Sequence, residues 1–126
     1  FAHISQWSKP HPRTRDRITC SPDGHSVASA TIDEMKVSWS QYDEGSFLAS
    51  PKGWKYLLQV MGYCYVWDCR RARLHVLFVR GAKGGMPLPK SVTFVLGFER
   101  QELVQQWRLF LQHAEDRELF PGLIHS

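Results

Sequence analysis

The stretch SPKGWKYLLQVMGY, Ser50 to Tyr63, decides the fold. Read as a helix, Ser50 supplies an N-cap oxygen and Pro51 occupies the first helical position, where its missing N–H costs nothing. Trp54, Leu57, Leu58 and Met61 then fall at i, i+3, i+4 and i+7, one face of a helix. Gly62 stands where a helix-ending glycine belongs. Gly53 speaks against the helix, because glycine weakens a first turn. A pair of strands is the alternative. The reading adopted is a helix over residues 50–61, set among strands.

Downstream, YCYVWDCRRARLHVLFVRG reads as a hairpin. Tyr63, Tyr65 and Trp67 alternate with Cys64, Val66 and Asp68. Leu74, Val76 and Phe78 alternate with His75, Leu77 and Val79. The second of these strands is apolar on both faces apart from His75 and is expected at the centre of the sheet. GAKGGMPLPK is a loop by its glycines and prolines. SVTFVLGF is a strand with Val92, Phe94 and Leu96 on one face. A closing helix follows, with Glu99 and Glu102 at its positive end. Its apolar stripe is Leu103, Val104, Trp107, Phe110, Leu111 and Ala114. Trp107 is expected to plug an open end or face of the sheet.

Upstream, residues 1–16 read as an extended arm, with Phe1, Ile4 and Trp7 able to pack on the body. RITC, SPDG and HSVASA read as strand, turn and strand, with Pro22, Asp23 and Gly24 supplying the turn. MKVSWSQY places Met35, Val37 and Trp39 on the covered side of a half-buried strand. Antiparallel strands with segregated helices make an α+β class, in one domain over residues 17–126. At 126 residues and 43% hydrophobic content the chain suffices for one core. No apolar run is long enough to span a membrane.

The strand-rich body followed by SVTFVLGFERQELVQQWRLFLQHA resembles the last strand and closing helix of pleckstrin-homology (PH) folds, which commonly carry a Trp near the place of Trp107. More narrowly, ITCSPDG, VSWSQYDE and the run from PLPKSVTF to ERQELVQQW are similar to the bacterial YcxB-like family. The resemblance covers about half of the chain. It implies a curved antiparallel sheet closed by the C-terminal helix; the helix over residues 50–61 has no place in a minimal PH barrel and is extra to it. It also implies an interaction scaffold rather than an enzyme.

Charge and chemistry lead to the same expectation. Net charge is +4, and Arg70, Arg71, Arg73, Arg80, Lys83 and Lys90 follow one another with no acidic residue between Arg70 and Lys90. Such a segment suits anionic lipid or nucleic acid, or is a solvated hairpin. Five tryptophans exceed the needs of one core. Trp7 and Trp54, rimmed by Arg70, Arg71 and Arg73, are therefore the candidate protein-binding residues. The expected role is a non-catalytic bacterial interaction module: an immunity or adaptor protein, or the soluble part of a membrane-tethered regulator. A protein partner comes first, an anionic membrane surface second and nucleic acid behind both.

No catalytic residue, metal or cofactor is expected. The six histidines show no metal-ligand spacing. GAKGG lacks the P-loop spacing. Asp33–Glu34 and Asp43–Glu44 are acidic pairs able to bind a cation or share a proton, with solvated turns as the simpler reading. The odd count of three cysteines points to reduced thiols and a cytoplasmic setting, with membrane association only through a segment upstream of Phe1.

Overall fold

The computed structural model describes residues 10–15 and 18–116. Ser50 does cap a helix: its hydroxyl accepts from the backbone N–H of Gly53 at 3.1 Å, and Pro51 opens helix α1 (Pro51–Trp67). The helix does not stop at residue 61. It runs through Gly62, which lies beside the Trp107 ring, and ends only at Asp68, whose left-handed backbone (φ 53°) terminates it. Tyr63, Tyr65 and Trp67 are therefore helical, not strand, residues. The alternation of Tyr63, Tyr65 and Trp67 misled because Cys64, Tyr65, Val66 and Trp67 are all buried in sequence. This end of α1 is packed on several sides, and a helix surrounded by protein loses its polar face.

Gly53 has a steric reason. A Cβ there would collide with the backbone carbonyl oxygen of Phe47, in the short 3-10 turn Phe47–Ala49 that leads into the helix. On helix propensity alone Gly53→Ala would stabilise by about 1 kcal/mol. Here it is expected to destabilise by about 1–3 kcal/mol, the range of overpacking, read by urea denaturation. A stabilised variant would contradict the close approach.

Two sheets form. Strands β1 (Arg13–Arg15) and β2 (Ile18–Cys20) make an antiparallel ribbon. Strands β3 (Gly24–Ser26), β4 (Thr31–Ser38), β5 (Arg71–Phe78) and β6 (Lys90–Gly97) form an open sheet in that order. β3–β4 and β5–β6 are antiparallel, but β4 and β5 are parallel, with α1 as their crossover. The α+β class holds. The wholly antiparallel curved sheet does not, because a 17-residue helix between β4 and β5 carries the chain back to the starting end of the sheet. β5 is central, as its two apolar faces require.

Registry fixes the faces. Ile32, Glu34, Lys36 and Ser38 of β4 share the α1 side with Ala72, Leu74, Val76 and Phe78 of β5 and with Val92, Phe94 and Leu96 of β6. Phe47 fills the same core, edge-on to Phe78 and stacked on Phe94. The expected covered side of β4 is thus inverted: Val37 and Trp39 are 56% and 68% exposed, while Ser38 is fully buried. Residues 27–30 form the tight turn between β3 and β4 rather than continuing a strand.

Helix α2 (Arg100–Asp116) buries Leu103 and Trp107, with Val104 and Leu111 half-buried. It packs on α1, where Trp107 stacks on Tyr65 at 5.2 Å between centroids. It does not plug the sheet, because α1 already covers that face. The side chains of Phe110 and Ala114, the apolar residues Phe1, Ile4 and Trp7, and the C-terminal segment lie outside the described residues. Arg13–Arg15, expected in an extended arm, form β1. No described helix is long and apolar enough to cross a membrane.

Candidate active site

Three polar residues gather where the core should be apolar. Glu34 and Lys36 stand on the α1 side of β4, and Asp23 enters from the segment just before β3. Pro22 is fully buried and Gly24 pairs with Asp33, so the backbone carrying Asp23 is clamped on both sides. The Asp23 carboxylate accepts a 2.8 Å hydrogen bond from the backbone N–H of Met35, and the Asp23 N–H donates to Glu34 Oε1 at 3.2 Å. Lys36 Nζ lies 3.1 Å from Glu34 Oε2 and 5.6 Å from the centre of the Tyr56 ring. From α1, Tyr63 faces Glu34, and Gln59, one turn earlier, donates its amide to the Tyr63 hydroxyl at 2.7 Å. Asp23, Glu34, Lys36, Gln59 and Tyr63 thus form one constellation drawn from three elements.

Electrostatics mark Glu34. It is 3% exposed. Burial pushes its carboxyl from the ordinary 4.5 up to about 7, the adjacent Asp23 carboxyl adds to the rise, and Lys36 pulls the other way. Burial and the Glu34 charge push the Tyr63 phenol up, against the Gln59 amide, so Tyr63 keeps its proton as a donor at neutral pH. A carboxyl held above its unfolded pKa binds protons more tightly in the folded state. Its contribution to stability is then full at acid pH and is lost as pH rises from about 4.5 to about 7. In metal-free protein Glu34→Gln should therefore raise Tm at about pH 8, with the gain shrinking towards pH 4.5. A gain that grows on acidification would contradict this environment.

The donor set suits a hard divalent cation. Mg²⁺ takes one or two protein carboxylates and completes its shell with water and substrate phosphate. Asp23 and Glu34 offer two such carboxylates. Among the described residues no group of three or more His, Cys, Asp and Glu side chains assembles for a metal.

The residues singled out from sequence lie elsewhere. Trp7 is outside the described residues. Trp54 is 46% exposed near the start of α1, about 20 Å along the helix axis from Trp67, at the end where Arg70 follows. Arg70 and Arg71 are exposed. Arg73 is bound to buried Asp33, Nε to Oδ1 at 2.7 Å. Arg80, Lys83 and Lys90 sit at the other end of β5, about 23 Å from Arg71 at the usual strand rise, with Lys83 4.0 Å from Asp43 and Lys90 over the Tyr42 ring. The basic segment is therefore two separated groups, not one patch, and Trp54 is not contiguous with its arginine rim. Asp33 and Glu34 are buried strand residues rather than a solvated turn, and their side chains point to opposite faces. Asp43 and Glu44 are exposed, as the turn reading required. His75 is a satisfied core histidine between Asp33 and Thr93.

No family model matches the chain, and no curated protein does. Among solved structures, a phage-related exonuclease from Haemophilus somnus 129PT is similar over 85% of this chain, with 18% identity and a TM-score of 0.60. The protein SSO0001 is similar over 78% of the chain, with 10% identity and a TM-score of 0.43. The chain spans 59% of the length of the exonuclease. This likeness runs against the expectation of a non-catalytic interaction domain. The fold is shared with a protein described as a nuclease, and polar groups occupy the helix-covered face of β4.

Proposed function

We propose that the protein is a divalent-cation-dependent nuclease that hydrolyses phosphodiester bonds of nucleic acid. The carrying observation is the Glu34 carboxyl on the helix-covered face of β4, with Lys36 Nζ at 3.1 Å from one oxygen, the Asp23 N–H at 3.2 Å from the other and the Asp23 carboxyl beside it. Two carboxylates alone would repel a phosphodiester, so the site needs positive charge to hold that substrate. Asp23 and Glu34 would hold the cation. When bound it supplies neutralisation of the phosphate charge and acidification of water.

The remaining work falls to the chain itself. The Lys36 ammonium is placed to hold a phosphate oxygen and stabilise the charge that develops there as water oxygen bonds to phosphorus and the ester P–O bond breaks. Glu34, beside the water that the cation would hold, is placed to accept the proton which that water loses. The Tyr63 hydroxyl, held by Gln59, fixes the Glu34 carboxyl in place, and the core around α1 limits water access from behind. The fold likeness to a phage-related exonuclease supports the substrate class.

The test is cleavage of end-labelled DNA by the purified chain in Mg²⁺ or Mn²⁺, against a chelator control. Cleavage lost on chelation and restored by the ion is the expected result. Cleavage indifferent to chelator, or none with either ion, would overturn the reading.

A further inference from the structure

A cavity of about 400 Å³ opens between α1 and α2, beside the carboxylate site. Its wall is apolar, built from Leu58, Met61 and Leu103 and from the stacked Tyr65–Trp107 pair. Gln59, Gln106 and Lys55 are the long polar side chains of its lining. Tyr63 and Gln59 belong to both places. They line the cavity, and they also form the α1 side of the Glu34 environment. Whatever fills the cavity therefore lies next to the Glu34 environment.

We propose that this cavity receives one unstacked nucleobase of a single-stranded end, next to the bond that is cut. The proposal rests on the nuclease reading and names its substrate form. The volume falls in the range of small-ligand sites, which pair apolar walls with a few placed polar groups. It suits one nucleoside. A paired base is committed to its partner and its stack and must leave both to enter. Two amides, each carrying donors and an acceptor, can meet the edge of any base. An apolar and aromatic wall accepts any base face, so the site binds with little sequence preference. Lys55, one turn before Gln59, is placed for the phosphate flanking the base.

The test is binding without cleavage. Fluorescence anisotropy in chelator would follow a labelled single-stranded oligothymidylate, the same strand with an abasic terminal residue, and a blunt duplex. Gln106→Trp, which fills the mouth of the cavity, is expected to weaken binding of the intact strand about tenfold, roughly the stacking of one base. The abasic strand should bind wild type as weakly as the intact strand binds the variant, and it should lose nothing further in the variant. Leu58→Trp serves if Gln106→Trp does not fold. Equal affinities for intact and abasic strands, or a blunt duplex bound as tightly as the single strand, would overturn the proposal. Chelator removes cleavage from the measurement. A failed nuclease reading shows instead as absent ion-dependent cleavage, independently of these affinities.

Discussion

Replacing Glu34 by Gln is expected to lower ion-dependent DNA cleavage at least about 10³-fold while leaving the protein folded. The change keeps the shape and removes the charge. Glu34 is one of two carboxylates available to the cation and the one that Lys36 and Tyr63 both engage. Loss of the charge removes cation affinity and proton acceptance together. Lys36→Ala should cost about 10²–10³-fold, the usual worth of one group stabilising transition-state charge. These two losses should not add fully, because Lys36 acts through the same few ångströms as Glu34. Retained cleavage in Glu34→Gln, measured on end-labelled DNA with the variant's Tm at or above wild type, would mean that the reacting centre lies elsewhere.

Asp33→Ala carries the largest expected loss of stability, about 3–5 kcal/mol. Asp33 is fully buried on the face of β4 opposite Glu34. Its Oδ1 meets Arg73 Nε at 2.7 Å and His75 Nε2 at 2.9 Å, and its Oδ2 accepts from Arg73 Nη2 at 2.8 Å. His75 Nδ1 continues to Thr93 Oγ1 at 3.0 Å. One carboxylate thus ties β4 to β5 and, through His75, to β6. Deleting it strands the Arg73 cation, whose side chain is only 17% exposed. Urea denaturation measures the loss. A near-neutral result would mean that water replaces the carboxylate without cost.

The sequence made some of this legible and hid the rest for identifiable reasons. Ser50, Pro51 and the Trp54-to-Met61 spacing marked the start of α1, because caps and helical period are local signals. Its end was hidden. Tyr63, Tyr65 and Trp67 alternate as in a strand, yet they belong to a helix end packed on several sides. That one misreading removed the βαβ crossover and with it the parallel pair. Trp107 was rightly expected to be buried, but its neighbour is Tyr65 of α1, which no pattern within α2 could reveal.

The candidate site failed differently. Asp23 had a complete local explanation as a turn residue between Pro22 and Gly24, and the Asp33–Glu34 pair had one as a solvated turn. What sequence could have offered was the conflict in β4. Glu34 and Lys36 alternate with the apolar Met35 and Val37, so one face of a strand is charged and the other apolar. Choosing the apolar face as covered follows the ordinary rule, and here the rule inverts. Positions where a local pattern opposes the fold are where function concentrates. Gln59 and Tyr63 lie one turn apart on α1, but without the sheet nothing in the sequence says that they face Glu34.

The most direct test of the account is a calorimetric titration of Mn²⁺ into the wild-type chain and into Asp23→Asn and Glu34→Gln. Saturable binding in the wild type and its loss in both variants, with each variant still cooperatively folded, is the expected result. Variants that bind Mn²⁺ as the wild type does would contradict a cation site built on Asp23 and Glu34.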